Sequence, residues 1–562
     1  MMDSYAPLHR LRSNRIVAAT TPIIVAVAAL VGLGATRMDA QAHAHPPEAL
    51  GTVDFPISCS ASVQTEFNRA VALLHHMTYP AAQQAFASVA RDDPRCAMAH
   101  WGVAMTLFQP LWPTRPGPAA LRRGWQEVQR AEALAPPTER ERLFIAAAVG
   151  FFRPPDSTDY WARIRRWQQA MAAVQAAFPR DPEATAFYAL ALLAVAPVDT
   201  AGRAHLERAA TLLVDVYERN RDHPGAMHYL VHANDAPGRE RDSLDITRRY
   251  EAAAPRNPHA LHMPTHIYTR LGEWPAVIRG NEKAAEAALA QPAGDSGQYV
   301  WDEFPHAIEY LVYAHLQMGA DQAAAAQLQR LRRTARLEPT FKTAFHLAST
   351  QARYTLERHA WTEAAGLAPR QPETLDWTRF PWAEAVTWFA RGMGGARSGA
   401  VTSTMAAHDR LSALETVARK TGEQRFATNI RILRLAVEAW IANAKRDTTA
   451  SVQLMTEAVE LEASTPKDPV TPAPTLPALE LLGDLLLEQG RAAEARTAYS
   501  RSLEQYPRRF NSLLGAARAS LAAGDTASAR VRYQQLLDVG GQGDRAAPLD
   551  EARRIVAAGS RR

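Results

Sequence analysis

A chain of 562 residues is too long for one compact core, so several domains or an extended repeat array is expected. Apolar residues make up 47% and charged residues 22%, the balance of a folded protein rather than a disordered one; Ala, Leu and Arg outweigh Val, Ile and Thr, which favours helix over strand. The net charge of +5 is small and spread along the chain, with no long basic run interleaved with aromatics, so nucleic-acid binding has no compositional support.

In chain order, Arg10, Arg12 and Arg15 precede an apolar run from about Ile16 to Ala35. Ala40-Gln41-Ala42 then offers a small-x-small cleavage site, so residues 1–42 are expected to be a signal peptide. The protein is then periplasmic or extracellular; the alternative is an anchor formed by an uncleaved N-terminal segment. No other segment has 18 apolar residues in a row, so no membrane span is expected after cleavage. A mature chain starting His43-Ala44-His45 also has the free amine and third-position imidazole that wrap Cu(II) or Ni(II), although a polar tail is the plainer reading.

Residues 43–61 read as an irregular lead-in. The two cysteines, Cys59 and Cys96, are expected to pair in an oxidising compartment. That bridge closes a loop of about 37 residues, worth about 3–4 kcal/mol in the chain-entropy view.

From residue 62 to 465 the pattern is helical and repetitive. Gln64–Met77 and Tyr79–Arg91 form the first pair, and degenerate units follow, including Asp242–Ala253, Pro264–Leu271 and Trp274–Ala290. Gly272 and Gly319 stand where helices end. Residues 466–477 hold five prolines and read as a linker. Residues 478–540 read as a C-terminal repeat pair, and 541–562 as a tail. Gly490 and Gly524, Ala495 and Ala529, and Tyr499 and Tyr533 are each 34 residues apart, the period of a helix–turn–helix unit that shares a core with its neighbours.

Leu482-Gly483, Ala495, Tyr499 and Pro507 match the tetratricopeptide-repeat (TPR) signature. With CAMAHWGVAM at 96–105, HPGAMHYLVHAND at 223–235, HALHMPTHIYTRLGEW at 259–274 and RRFNSLLGAARA at 508–519, the chain resembles a group of exported bacterial TPR proteins. The resemblance implies an all-α fold, an α-solenoid of helical hairpins degenerate in the middle and regular at the C-terminus. It also implies a concave groove for a protein or peptide partner, or for a small molecule. It implies no reaction, because the repeat is a scaffold with many uses.

Chemistry is concentrated between His223 and His266, where six of the 18 histidines fall. His223 leads into a helix on which His228, His232 and Asp235 share one face, four and then three residues apart. Imidazoles one turn apart can chelate one ion, and a carboxylate a turn further can ligate or orient a histidine. His262 is expected in a loop before a helix starting at Pro264, with His266 in its first turn and His259 upstream as a ligand or support. Glu303, His306 and Glu309 are three apart and include the Glu-x-x-His spacing of carboxylate-bridged metal sites. Tyr229 and Tyr268 are candidate flanking contacts.

A His-rich set suits Zn, Cu or non-haem Fe better than Mg or Ca, with His228, His232 and His266 as the core ligands. Three roles stay open: a binding module with a metal-loaded pocket, a metalloenzyme of the Zn hydrolase or Cu/Fe oxidase type, and a metal-free structural assembly factor locked by hydrogen bonds. His75-His76 reads as exposed or groove-lining, and the tryptophans, Trp112 and Trp301 among them, mostly as core. There is no Walker-type phosphate loop, no GxSxG and no cysteine placed for nucleophilic catalysis.

Overall fold

The structure, a computed structural model, describes residues 49–112, 115–154, 159–197, 201–294 and 297–559. The signal segment expected over 1–42 and the His43-Ala44-His45 start lie outside them. The fold is all-α, and successive helices pack against one another along the chain, from Gln64–His75 with Tyr79–Asp92 to Phe510–Ala522 with Thr526–Gly540. Extended pairing among the described residues is limited to Pro292–Ala293 against Tyr299–Val300 and one bridge from Val300 to Leu337. No helix among them is long and apolar enough to cross a membrane.

The repeat chemistry is plainest at the C-terminal end. Gly490 and Gly524 turn between helices with φ of +75° and +81°, which a side chain would strain. A Cβ on Gly483 would stand 2.7 Å from the Tyr499 ring, so only glycine lets these helices approach with that ring between them. The Tyr499 hydroxyl donates to Asp484 at 2.5 Å. Beyond the repeats, helix Ala546–Gly559 buries Leu549 and Ala552, so the stretch expected as a tail ends in packed structure.

The apolar core forms three blocks. One runs from Leu50 to Ile267 and another from Leu261 to Ala519. The histidine-bearing helices lie at their seam: Ala260, Met263 and Ile267 face the first block, Leu261 the second. The third block joins Trp274 and Tyr313 to Phe510 and Leu549.

The solenoid closes on itself. Trp274 Nε1 donates to the Arg508 carbonyl at 3.1 Å, and Arg115 pairs with Glu423 at 3.1 Å. The proline-rich stretch 466–477 is drawn into this closure, with Val470 and Ala473 buried. It offers bare carbonyls, and the buried Arg353 donates to those of Pro474, at 2.9 Å, and Ala473. At the other end, the bridged pair Cys59–Cys96 ties the lead-in to the start of helix Ala97–Met105.

Candidate metal centre

Local sequence places the imidazoles. In helix Pro224–Asn234 the His223 ring caps the first turn, its Nδ1 accepting from the Ala226 amide at 3.1 Å, and Pro224 occupies the position where no amide partner is needed. His228 and His232 then stack one turn apart. His262 is not in a loop, as expected from the sequence, but ends a short helix, Pro258–His262. Asn257 caps it, accepting from the Ala260 amide at 3.0 Å, and Pro258 starts it. Pro264 cannot donate back to that turn, so a new helix, Pro264–Leu271, begins there and carries His266. Helix Glu303–Gln317 adds His306, Glu309 and Tyr310.

The six rings gather as two sets of three. His228 Nε2 lies 3.1 Å from His232 Nε2 and 2.9 Å from His259 Nε2. His262 Nε2 lies 2.9 Å from His266 Nε2, with the His306 ring 4.2 Å from that of His262. Within each set the candidate ligand atoms lie within 4.8 Å of one another. The sets adjoin: His232 and His266 have ring centres 6.1 Å apart, and His259 and His262 6.3 Å. The grouping expected from sequence, with His228, His232 and His266 around one point, is therefore divided, because His266, in helix Pro264–Leu271, meets His262 at the end of the helix before it. Two nitrogens on one ion at about 2.0–2.1 Å, subtending 90–110°, are about 2.9–3.4 Å apart, the separations found here.

The opposite nitrogen of most rings is tied down. His228 Nδ1 meets the His75 carbonyl at 2.6 Å, and a carbonyl only accepts, so this nitrogen carries the proton. His262 Nδ1 donates to Asn281 Oδ1 at 2.7 Å; that amide is oriented by its own donation to the Val277 carbonyl at 2.8 Å. His266 Nδ1 donates to Asp235 at 2.8 Å. His259 Nδ1 is 3.2 Å from Glu303. His306 Nδ1 donates to His346 Nε2 at 2.8 Å, and His346 Nδ1 donates to Glu309 at 2.5 Å. Such partners fix tautomer and ring orientation around metals. Among the described residues His232 has no such partner on its other nitrogen, His259 Nδ1 has only the Glu303 contact, and His232 is the one ring of the six that is only half-buried.

With the protons of His262 and His266 on Nδ1, their Nε2 lone pairs face each other, and the Nε2 lone pair of His228 points at His259 Nε2. A shared proton would relieve this, but burial holds His228, His232, His262 and His306 well below the usual imidazole range. Burial likewise pushes His266 down to about 4, despite Asp235. Neutral rings with converging lone pairs are arranged to receive a cation.

The carboxylates expected as ligands stand one layer out. Asp235 supports His266 and is gripped by Arg270 at 2.5 Å and Lys467 at 2.9 Å. Glu303 supports His259 and pairs with Lys342; Glu309 holds His346 and pairs with Arg353 at 2.7 Å. His223 belongs to a separate cluster, with Glu183 at 3.2 Å, and Glu183 also meets His75 Nε2 at 2.8 Å. The Tyr229 hydroxyl lies 3.0 Å from His75 Nδ1. This third group is also within metal-binding range, and hydrogen bonds satisfy both nitrogens of His75 but leave His223 Nε2 and one Glu183 oxygen unpaired. Tyr268 packs instead against the apolar block around Trp274 and Tyr313.

Several participants had little or no sequence signal. His75 and His76 are buried, not exposed. His346, Asn281 and Lys342 are isolated polar residues within helices, and their periodicity suits core and surface alike. Trp112 carries its indole against both sets, 5.4 Å from the His259 ring and 6.2 Å from that of His306.

No family model and no curated protein matches the chain. Among solved structures it is similar to yeast Tom70, at 11% identity over 89% of this chain and 96% of that one, with a TM-score of 0.26. It is also similar to a human IFIT1 dimer with m7Gppp-AAAA, at 13% identity over 79% and 90% with a TM-score of 0.33. A third is the APC/C hetero-tetramer Cut9-Hcn1, at 13% identity over 88% and 90% with a TM-score of 0.29. Scores this low carry no argument about partners or function, and the helical-repeat architecture rests on the chain's own helices.

Proposed function

We propose that the two histidine sets hold a pair of transition-metal ions and that this dinuclear centre is the working site of the protein. The observation that carries the reading is the facing of the His262 and His266 Nε2 lone pairs at 2.9 Å with both Nδ1 protons committed elsewhere, beside a second set in which His228 Nε2, also unprotonated, stands 2.9 Å from His259 Nε2. Only imidazoles line the sites, which suits zinc, copper or iron better than magnesium or calcium. Three protein ligands per ion leave a position open, the mark of a catalytic rather than a purely structural site. An ion so held supplies Lewis acidity for hydrolysis or a place for oxygen chemistry. The chain's own groups orient the rings, exclude bulk water and, through Trp112, roof both sets. The bridged Cys59–Cys96 pair supports an exported protein working in an oxidising compartment.

The test is metal analysis of protein purified without a histidine tag. About two equivalents per chain are expected, falling to about one in His228→Ala/His259→Ala and in His262→Ala/His266→Ala. Less than about a tenth of an equivalent, with no uptake on soaking, refutes the reading. A third equivalent lost in His75→Ala assigns the Glu183 cluster a metal as well.

A further inference from the structure

We propose that the cleft outside His232 binds a small aromatic carboxylate, delivering an anionic head to the histidine pair and lodging the ring among apolar side chains. The proposal rests on the dinuclear reading and names the class of molecule that completes it.

The first argument is charge. All six candidate ligands are imidazoles, which ligate a metal without bringing negative charge, so two divalent ions would bring four positive charges with no anionic ligand to offset them. The nearby carboxylates are already committed: Glu303 to Lys342, Glu309 to Arg353, and Asp235 to Arg270 and Lys467 together. Uncompensated buried charge is costly, so the open positions favour an anion from outside.

The second argument is the cleft itself. It reaches His232, the half-buried ring of the six, and encloses about 150 Å³. A cavity of about that volume accommodates a benzene ring. Its apolar wall is made by Trp112, Trp161, Leu193, Leu206 and Phe426. Its polar side carries Arg115, Arg270, Arg425 and Lys467 against Asp235, Glu423 and Asp468. Arg115 is matched by Glu423 at 3.1 Å and Arg425 by Asp468 at 3.4 Å. Arg270 and Lys467 share the single carboxylate of Asp235, so the surplus positive charge sits beside the histidines. Arg115 also sets its Cζ over the Tyr160 ring, 3.9 Å from its centre, which helps hold it on the cleft wall. A molecule with one negative end and one planar apolar end matches both halves.

The test is calorimetric titration of metal-loaded protein with benzoate and with its neutral isostere benzamide, metal content being measured on the same samples. Benzoate is expected to bind at least about tenfold more tightly, a difference of about 1.4 kcal/mol. Ala194→Trp fills the cleft without touching a histidine and should weaken benzoate at least about tenfold at unchanged metal content. If that variant does not fold, Leu206→Trp on the next helix serves the same purpose. Equal binding of the two probes, binding of neither, or benzoate binding undiminished by both tryptophans overturns the proposal while leaving the metal pair standing. Protein without metal overturns the dinuclear reading first, and the anion argument with it.

Discussion

Two buried polar clusters in this chain obey opposite rules. Around Arg509, fully buried, all four oxygens of Glu357 and Glu480 meet donors. Tyr313 adds its hydroxyl at 3.1 Å from the guanidinium, Asn511 donates to Glu357, and Ser512 to Glu480. The histidine cluster is as deeply placed, yet acceptor faces acceptor at its centre. A protein can bury polarity by closing it on itself, as at Arg509, or by leaving it to be completed from outside. The tally of donors and acceptors separates the two cases, where burial alone does not.

The largest expected effect is at the closed cluster. Arg509→Met strands two buried carboxylates and should cost about 3–5 kcal/mol in denaturant unfolding. Metal content of the folded fraction should be unchanged. Loss of metal from that fraction would show that the two clusters are not independent.

Stripping metal by chelation probes the open cluster. A ligand at about a thousand times its dissociation constant stabilises the folded state by about 4 kcal/mol, so the unfolding midpoint should fall on chelation and recover on adding metal back. An unmoved midpoint would place the histidine cluster in the same self-sufficient class as Arg509.

A smaller effect is expected one layer out. Asn281→Leu removes the acceptor that holds the His262 ring and should weaken metal affinity by about 10–100-fold with little change in the stability of the metal-free protein. Competition against a chromophoric chelator reads this directly. Equal losses in both forms would make Asn281 a packing residue and no more.

How much of this was legible in the sequence depends on the range of the interaction. His228 and His232 are one helical turn apart, and four-residue spacing places their rings on one face without knowledge of the rest of the chain, whereas the meeting of His262 with His266 across the break at Pro264 was not legible. The 34-residue period of the C-terminal repeats is local in the same way. Which pair His259 and His306 would join was not legible, because it depends on how each hairpin rotates on the next. A degenerate repeat does not fix that rotation. His346 is a lone histidine in a helix, indistinguishable by pattern from a core residue until it is seen between His306 and Glu309. Lys467 was hidden for another reason: the proline-rich stretch that carries it reads as a spacer. Only the closure of the solenoid brings that stretch over Asp235.

A pH dependence beside the closed cluster separates its electrostatics from its packing. Burial, aided by the charge of Glu480, lifts Glu462 to about 8, against the pull of the Ala478 amide at 3.1 Å and of Arg509. Its ordinary value is 4.5, so between about 4.5 and 8 the folded protein keeps a proton that the unfolded chain has released. Stability from this group is therefore full below about 4.5 and is lost as pH rises toward 8, with a slope of at most about 1.4 kcal/mol per pH unit. Asp484, lifted by burial to about 7, and Glu338, lifted by burial to about 8, add to the same fall, so in metal-free protein Glu462→Gln should lessen that slope by at most about 1.4 kcal/mol per pH unit and leave the Arg509 contacts intact. A slope unchanged by the substitution would assign the titration to the other carboxyls and leave the closed cluster pH-insensitive, with its self-sufficiency all the sharper against the histidines.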